Sequence, residues 1–355
     1  MSTGSLDNAE KPIHALHVTA WMAGSKKYRV HLNEVFKSTI INAVVIDIKE
    51  YEGEVYIPGV NMAEKAGAYV PAMPDIAAWV ADLKHQGIYT VARIVVFKDN
   101  IMPHKNKSLA VKNPQGDLWH DKNKITWLDP YNPEAGRYNL LIALQAAKLG
   151  FDEVQFDYIR FPTDGKPSEK RFAKPYDIQA ASQALVSFLR QARQLLEPLG
   201  TKISIDVFGL TTSVNTGMGI GQLIVPMTQQ VDYVCPMVYP SHYNKGEYGI
   251  PNPNDQPYRV IHLAMHDALK TLGPDGLKKL RPYYQDFSLP HHGIHYGKKE
   301  VRAQMQAGAD VGLPSWTLWN ARCSYNLEAI QTPIIPAIST HTVSTSSTVV
   351  NSTSK

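Results

Sequence analysis

The chain has 355 residues, of which 44% are hydrophobic and 19% are charged. These fractions are typical of a globular protein with a full core, and they exclude wholesale disorder and collagen-like or coiled-coil architectures. The formal net charge is only +4 and no basic run is longer than three residues, so neither a nucleic-acid partner nor an anionic membrane surface is indicated.

The N-terminal tail, residues 1–12, is polar and lacks the apolar segment of a signal peptide. Since no part of the chain approaches about 18 uninterrupted apolar residues, we expect no membrane span. Cys235 and Cys323 are the two cysteines, too few for a disulfide framework and too far apart for a CxxC metal pair. The cysteines therefore leave the cellular compartment open.

From residue 13 the sequence alternates between β-like runs and segments with helical periodicity. The eight runs are Ile13–Met22, Ala43–Glu50, Tyr89–Phe97, Glu153–Phe161, Lys202–Leu210, Val231–Tyr239, Arg281–Leu289 and Leu313–Ala321. Eight alternations predict a single (β/α)8 TIM barrel over residues 13–335. A doubly wound open sheet is the alternative, and the lack of any GxGxxG or GxxxxGK[ST] turn after a strand disfavours it.

Proline near the start and glycine just past the end mark three of the helices. These pairs are Pro74 with Gly87, Pro133 with Gly150, and Pro175 with Gly200. Several strand-to-helix connections are long, namely 51–73, 98–132, 162–174 and 240–257. Because these loops surround the active site of a TIM barrel, their length indicates an elaborated site.

Aromatic residues and histidines are frequent in these long loops: Trp119, His120, Trp127, Tyr131, His242, Tyr243 and Tyr248. Sugar rings stack on such side chains, although many of them would simply pack their own loop. Residues 336–355 are rich in Ser and Thr and contain no acidic residue. We expect this segment to be a linker or a disordered tail.

Polar residues interrupt four neighbouring apolar strands near their C-terminal ends. They are Asp47 and Lys49 on the second strand, Arg93 on the third, Asp157 on the fourth and Asp206 on the fifth. Because chemistry in this fold lies at those strand ends, we expect the five side chains to converge. A structural salt-bridge layer is an equally good interpretation of Asp47, Lys49 and Arg93, since a buried carboxylate is costly unless it is paired.

Asp157 and Asp206 lie on adjacent strands, where their carboxyl groups would be roughly 5–7 Å apart. Glycoside hydrolysis needs such a pair, one group to attack and one to protonate the leaving oxygen. We assign Asp157 as the nucleophile, because Arg160 or Arg93 would keep it ionised, and Asp206 as the general acid. The distance range includes values typical of retaining and of inverting enzymes, so it does not decide the stereochemistry. Glu50 and Asp286 also lie near strand ends, so the assignment of acid and nucleophile stays open.

The remaining strands contribute Tyr239, Gln285 and either Trp319 or Asn320, according to register. The predicted substrate-binding residues are therefore Asp47, Lys49, Arg93, Arg160, Tyr239, Gln285 and Trp319.

A catalytic metal is not predicted, and neither is a cofactor. Metal-dependent barrel hydrolases usually carry an HxH pair at the end of the first strand, whereas His14 and His17 are differently spaced and lie at its start. The loop histidines His242, His291, His292 and His295 are more readily interpreted as substrate contacts. No GxSxG follows a strand, and Cys235, inside a strand, is interpreted as a packing residue.

Five segments together resemble the glycosyl hydrolase barrels known as domain of unknown function 4015. They are NAVVIDIKEYEG (42–53), FDEVQFDYIRFPTDG (151–165), SIDVFG (204–209), DYVCPMVYPSHY (232–243) and RPYYQDF (281–287). The resemblance spans residues 13 to about 330 and implies a TIM-barrel protein that hydrolyses a polysaccharide, without implying which one.

Two other barrel families are more distantly similar. Asp152 and Asp157 match two positions of the chitinase motif DGxDxDxE, but Gln155 and Ile159 replace its middle Asp and catalytic Glu, which argues against chitinase chemistry. The α-amylase-like barrels place a nucleophile on strand four and an acid on strand five, like Asp157 and Asp206. Their acid is normally Glu, so the resemblance supports the nucleophile better than the acid.

The leading hypothesis is a glycoside hydrolase with a carbohydrate substrate and the pair Asp157 and Asp206. The alternatives are a non-catalytic carbohydrate-binding or cell-surface barrel, and a metal-dependent hydrolase that uses the loop histidines. Because polysaccharide hydrolases mostly act outside the cytosol, we favour an extracellular or cell-surface location over a cytoplasmic one. The sequence leaves the oligomeric state open.

Overall fold

A closed barrel of parallel strands forms the centre of the molecule, in a computed structural model that describes residues 11–336. The strands pair in chain order and β8 closes onto β1. They are β1 (His14–Val18), β2 (Ala43–Lys49), β3 (Tyr89–Val95), β4 (Glu153–Asp157), β5 (Lys202–Phe208), β6 (Tyr233–Met237), β7 (Tyr283–Gln285) and β8 (Trp316–Trp319). The predicted TIM barrel is confirmed.

Helices surround the barrel and alternate with its strands. They are α1 (Ala20–Gly24), α2 (Lys26–Ser38), α3 (Asn61–Ala66), α4 (Ile76–His85), α5 (Met102–Lys105), α6 (Pro133–Lys148), α7 (Ile178–Leu196), α8 (Ile224–Thr228), α9 (Pro257–Leu272), α10 (Gly276–Lys279) and α11 (Lys298–Asp310). The predicted tails, residues 1–12 and 336–355, lie almost wholly outside the described residues, so the division of the chain stays a prediction.

The strands are shorter than their β-like sequence runs because loops and helices begin early. The first run extends to Met22, but β1 stops at Val18, since the Thr19 hydroxyl accepts from the Met22 amide and opens α1. Apolar residues after the other strands likewise belong to loops that cover the barrel. Strand bounds are therefore less well predicted than strand positions.

The helix boundaries follow capping residues rather than proline alone. At α6 the prediction is confirmed: Pro133 is the first helical residue and the Asn132 side chain accepts from the Glu134 amide at 3.0 Å. At α7 the helix begins only at Ile178, because the Asp177 carboxylate accepts from the Ala180 amide at 2.8 Å. Pro175 precedes this cap and lies in the loop.

The N-terminal end of the barrel interior is closed by a compact ion pair. Arg281, just before β7, donates from Nη1 to Glu153 Oε2 at 2.9 Å, and its guanidinium lies 3.8 Å from the ring centroid of Tyr233. The Tyr89 hydroxyl donates to the same carboxylate at 2.9 Å. Both charged side chains are buried and paired one to one.

The middle of the barrel is polar but uncharged. The Tyr283 hydroxyl donates to Gln155 Oε1 at 2.6 Å, and Gln155 Nε2 lies 3.3 Å from Cys235 Sγ. Cys235 is thus buried inside the barrel, in agreement with its interpretation as a packing residue. This layer separates the ion pair below from the charged groups at the other end.

β6 and β7 form the shortest strand pairing of the barrel. These strands pair in register through Met237 and Tyr283 alone, whereas β2 and β3 pair through six positions. The long predicted loops after β2, β3, β4 and β6 all emerge at the C-terminal end of the barrel. Across residues 11–336, no helix combines the length and apolar character that crossing a bilayer requires.

Candidate active site

A pocket of about 300 Å³ opens at the C-terminal ends of the strands, where the fold predicts a site. We call it the central pocket. Its walls are Arg93, Asp157, Tyr158, Arg160, Asp206, Phe208, Gln222, Met237, Tyr239, His242, Tyr283, Phe287 and Trp319. Six of the nine sequence-predicted site residues line it, namely Asp157, Asp206, Arg93, Arg160, Tyr239 and Trp319.

One guanidinium group organises the floor of this pocket. Arg93 Nη1 donates to Asp47 Oδ1 at 2.6 Å and to Glu50 Oε1 at 3.0 Å, while Nη2 donates to Asp157 Oδ2. Its Nε lies 3.6 Å from Asp206 Oδ2. A single buried cation thus faces four carboxyl groups, and we call these five residues the Arg93 cluster.

The two predicted catalytic carboxyl groups occupy different environments within the cluster. Asp157 accepts a hydrogen bond from Arg93 and another, at 2.6 Å, from the Tyr158 amide, so a cation and a backbone donor both hold its carboxyl group. Asp206 is buried, and its Oδ1 has no hydrogen-bond partner. Burial, reinforced by the charge of Asp157, holds the pKa of Asp206 well above its usual range.

The backbone is unusual directly after Asp157. Tyr158 has a φ of 47°, a left-handed conformation that side-chain-bearing residues adopt only at a cost. This turn aims the Tyr158 amide at the carboxylate of the preceding residue. Local geometry and Arg93 therefore fix the same carboxyl group from two sides.

Glu50 is a third carboxyl group with altered acidity. It follows β2, and its side chain is 19% exposed. Burial, reinforced by the charge of Asp47, raises the pKa of Glu50 to about 8. Glu50 is therefore protonated at neutral pH, but it lies behind Arg93 rather than among the residues that line the central pocket.

His17 supports the cluster from the first strand. Its Nε2 lies 2.7 Å from Asp47 Oδ2, and its ring stacks on Trp319 at a centroid distance of 3.7 Å. Burial, with the charge of Arg93, lowers the pKa of His17 to about 3, so the ring is neutral. Its predicted place at the start of the strand is wrong: β1 ends at Val18, and His17 lies at its C-terminal end.

His17, Asp47 and Glu50 are close enough to share a metal ion, with ligand atoms within 4.8 Å of one another. However, Arg93 already donates to Asp47 Oδ1 and Glu50 Oε1, and Asp47 Oδ2 is bonded to His17. The guanidinium thus occupies the carboxylate oxygens that a cation would need. Within the described part of the chain, no other such group occurs, so the loop histidines do not assemble into one.

Lys49 does not join the cluster, contrary to the prediction. The register of β2 shifts between Asp47, which pairs with Arg93, and Lys49, which pairs with Ile94. This bulge turns Lys49 out of the barrel, where Nζ lies 3.0 Å from Asp99 Oδ2 and 5.7 Å from the ring centroid of Tyr138 on α6. Lys49 is therefore a buried structural residue and not a wall of the cleft.

Asp47 and Gln285 also lie outside the walls of the central pocket. Asp47 is behind Arg93, so the salt-bridge interpretation applies to these two residues but not to Lys49. Gln285 Oε1 accepts from the Ser241 amide at 3.2 Å, and its Nε2 donates to the Phe287 carbonyl at 3.0 Å. Gln285 thereby joins the loops after β6 and β7 and acts on the pocket only through them.

Aromatic rings form the side of the pocket opposite Asp157. Tyr239 contacts Phe287 edge to face at 5.6 Å and His242 at 5.2 Å between ring centroids, and Arg93 lies 5.0 Å from the Trp319 ring. Apolar rings beside carboxyl groups suit the faces and hydroxyls of a sugar. Among the loop aromatic residues that the sequence emphasises, Trp119, Trp127 and Tyr243 instead pack within their loops.

Four further residues that line the pocket are not predicted as site residues from the sequence, namely Tyr158, Phe208, Gln222 and Phe287. Tyr158 directly follows Asp157 and Phe287 directly follows Asp286, so a search that extends one residue beyond these positions finds both. Gln222 belongs to the long segment after β5, where its Oε1 accepts from the Phe208 amide at 3.0 Å. No sequence pattern indicates that this distant loop returns to the pocket.

Comparison with known proteins yields one family match over most of the chain. The sequence model of domain of unknown function 4015, whose description reads "Putative glycosyl hydrolase domain", matches residues 15–325. A comparison with curated proteins gives no significant match.

Solved structures with the same fold include three bacterial proteins. The glycoside hydrolase domain of PgaB (BpsB) from Bordetella bronchiseptica aligns with a TM-score of 0.68 at 15% identity, covering 90% of this chain and 98% of that one. The spore cortex-lytic enzyme SleL from Bacillus cereus aligns with a TM-score of 0.52 at 12% identity, covering 92% of this chain and 75% of that one. The α-galactosidase TtGalA from Thermus thermophilus aligns with a TM-score of 0.51 at 12% identity, covering 89% of this chain and 59% of that one. At these identities the likeness establishes the barrel fold.

Proposed function

Because the chain belongs to the glycosyl hydrolase domain family known as domain of unknown function 4015, we propose that it hydrolyses O-glycosidic bonds with Asp157 and Asp206 as the catalytic pair. The observation that carries the proposal is the difference between the two carboxyl groups. Asp157 accepts hydrogen bonds from the Arg93 cation and from a backbone amide, whereas burial raises the pKa of Asp206. Acid-assisted glycoside cleavage requires two adjacent carboxyl groups in such unlike environments.

The different environments of Asp157 and Asp206 suggest which group is the nucleophile and which is the acid. Asp206 donates its proton to the glycosidic oxygen as the bond from that oxygen to the anomeric carbon breaks, and a carboxylate oxygen of Asp157 bonds to the anomeric carbon. Asp206, now ionised, then takes a proton from water as the water oxygen displaces Asp157. Arg93 stays bonded to Asp157 and Asp47 and keeps the nucleophile oriented.

A screen on a broad polysaccharide panel tests this proposal, with products detected by mass spectrometry. We expect Asp157→Asn and Asp206→Asn each to lower kcat/KM by roughly 100- to 10,000-fold. Asp152→Asn is the matched control, because Asp152 lies at the opposite end of the same strand and pairs with Lys84 on the surface at 2.9 Å. We expect that control to retain activity.

Full activity in Asp157→Asn would refute the assignment of the nucleophile. Glycan binding by folded wild-type protein without any product would favour the alternative of a non-catalytic carbohydrate-binding barrel. The extracellular or cell-surface location stays a prediction, which detection of the native protein in secreted and surface fractions would check.

A further inference from the structure

Arg160 carries a positive charge into the central pocket without an acidic partner. It lies on the loop after β4, three residues beyond Asp157, and lines the same pocket. Its Nη1 donates to the Phe161 carbonyl at 3.1 Å, and within residues 11–336 no carboxylate forms an ion pair with it. Since a guanidinium has five N–H donors, most of its hydrogen-bonding capacity is unused.

The Arg160 side chain is held in place by aromatic rings. Its guanidinium carbon lies 5.0 Å from the ring centroid of Trp127 and 5.2 Å from that of Tyr158. Trp127 is itself fixed, because its indole nitrogen donates to Asp121 at 3.2 Å. A guanidinium positioned in this way is prepared to bind a planar anion through two parallel hydrogen bonds.

The two arginines of the pocket therefore differ. Arg93 donates hydrogen bonds to three carboxyl groups of its own cluster and lies 3.6 Å from the fourth, whereas Arg160 has no carboxylate within bonding distance. Burial lowers the pKa of Arg160 against the opposing influence of Tyr158, Asp157, Asp164 and Asp121, none of which forms an ion pair with it. Moreover, Asp206 and Glu50 favour their protonated forms, which reduces the negative charge that an entering anion would meet.

A larger cavity of about 1010 Å³ lies along the loops after β6 and β7, and we call it the side groove. Ser241 and Leu289 line the groove, next in sequence or nearly so to His242 and Phe287 of the pocket. Its cationic and imidazole side chains are Lys245, Arg259, His292, His295 and Lys299.

The acidic residues of the side groove already have local partners. Asp255 accepts from Asn252 Nδ2 at 2.6 Å, and Glu300 accepts from the Gly297 amide at 3.0 Å. In the described part of the chain, neither of them pairs with a lysine or arginine of the groove. Three cationic side chains, Lys245, Arg259 and Lys299, thus face two carboxylates in the groove, which leaves an excess of one formal positive charge.

We propose that the substrate is an acidic glycan of the uronic acid type, whose carboxylate binds Arg160 beside the bond that is cleaved, while further acidic units bind in the side groove. This inference rests on the proposed hydrolase function for the cleavage but not for the binding. A neutral sugar would cover the half-buried Arg160 without pairing its charge, which is unfavourable relative to a carboxylate-bearing sugar.

The test compares polyuronates of different linkage, each with its own neutral derivative in which the carboxyl groups are reduced to primary alcohols. We expect wild-type kcat/KM to be at least 10-fold higher on one polyuronate than on its reduced form, because only the carboxylate pairs with Arg160. Arg160→Gln should lower this acid-to-neutral ratio about 10-fold, mainly through KM, and Arg160→Lys should restore part of it.

Arg171→Gln is the matched control, because Arg171 is an exposed arginine of the same loop outside the central pocket. We expect it to keep the wild-type ratio. A sulfated neutral-backbone glycan forms a separate arm, and its preferential cleavage would overturn the carboxylate assignment. A ratio that is unchanged in Arg160→Gln, or a wild-type preference for the reduced polymers, would overturn the proposal as a whole.

Binding separates this inference from the hydrolase proposal. If wild type cleaves none of the polymers, its retardation is measured in native gels that contain each polyuronate or its reduced form. Retardation by the polyuronate alone that is lost in Arg160→Gln would support the acidic ligand while the hydrolase proposal fails. Equal migration in all gels would overturn the acidic-ligand proposal as well.

Discussion

The barrel interior holds a buried arginine at each end, and the two sites differ in how their charge is balanced. At the N-terminal end Arg281 faces the single carboxylate of Glu153, and rings of tyrosine complete its surroundings. At the C-terminal end Arg93 faces the carboxyl groups of Asp47, Glu50, Asp157 and Asp206.

This difference distinguishes a structural site from a candidate catalytic one. A one-to-one buried pair satisfies its charges and leaves no group with a proton to exchange. A surplus of carboxyl groups around one cation forces some of them to retain protons, as the raised pKa values of Asp206 and Glu50 indicate. Residue type alone does not separate the two ends, because each is built from arginine and acids on barrel strands.

The largest expected effect is on stability at the N-terminal end. Glu153→Gln leaves the Arg281 charge buried without its counter-ion, so we expect the free energy of unfolding to fall by about 3–5 kcal/mol. Urea denaturation measures this change. Because Glu153 lies far below the pocket, kcat/KM at temperatures well below the melting point should be nearly that of wild type. Loss of activity in a folded Glu153→Gln protein would contradict the separation of the two ends.

A substitution at the other arginine should act mainly on activity. In Arg93→Lys one ammonium group cannot contact Asp47, Glu50 and Asp157 together, so the nucleophile loses its orientation. We expect kcat/KM on the polymer identified in the screen to fall by roughly 100- to 1000-fold. Arg281→Lys is the control, and equal losses of activity in both variants would show that the two ends are not distinct.

The smallest predicted effect is a pH dependence of stability that Glu50 of the Arg93 cluster should generate. Since the pKa of Glu50 rises from 4.5 to about 8, the folded protein keeps a proton that the unfolded chain has released between these values. The contribution of Glu50 to the free energy of unfolding is fully present below pH 4.5 and is lost as the pH rises to about 8. Over this range the free energy of unfolding falls by at most about 1.4 kcal/mol per pH unit.

Glu50→Gln should flatten this part of the stability curve, which denaturation at a series of pH values would measure. Glu52→Gln, which removes an exposed carboxylate two residues away, should keep the wild-type slope. An unchanged slope in Glu50→Gln would mean that the acid surplus does not store a proton at this residue.

Much of the barrel and part of its site follow from the sequence because of the regular geometry of parallel strands. Asp157 and Asp206 are predictable as neighbours, since each interrupts an apolar strand near its end and adjacent strands end at one face. The same rule fails at Lys49, the last residue of β2, because the bulge between Asp47 and Lys49 turns its side chain away from the barrel interior. A bulge of this kind has no signature in AVVIDIKE.

The excess of carboxyl groups around Arg93 also could not be predicted from the sequence. It depends on where the chain goes after β2, which brings Glu50 to 3.0 Å from the guanidinium, and on His17, whose position changes with the end of β1. The unpaired state of Arg160 likewise depends on which loops approach it. Loops are set by long-range packing, whereas strand order is set by local pattern, and the two are therefore predictable to different degrees.

The narrow pairing of β6 and β7 has a consequence for how the barrel opens. Beyond their single in-register pair, Met237 with Tyr283, these strands are joined by the Val234–Leu280 bridge and by the bond from the Val238 amide to the Tyr283 carbonyl at 3.3 Å. Residues of the loops that follow the two strands line both the central pocket and the side groove. We expect a ligand that contacts both loops to oppose local separation of β6 and β7, so bound glycan should slow amide hydrogen exchange in β7.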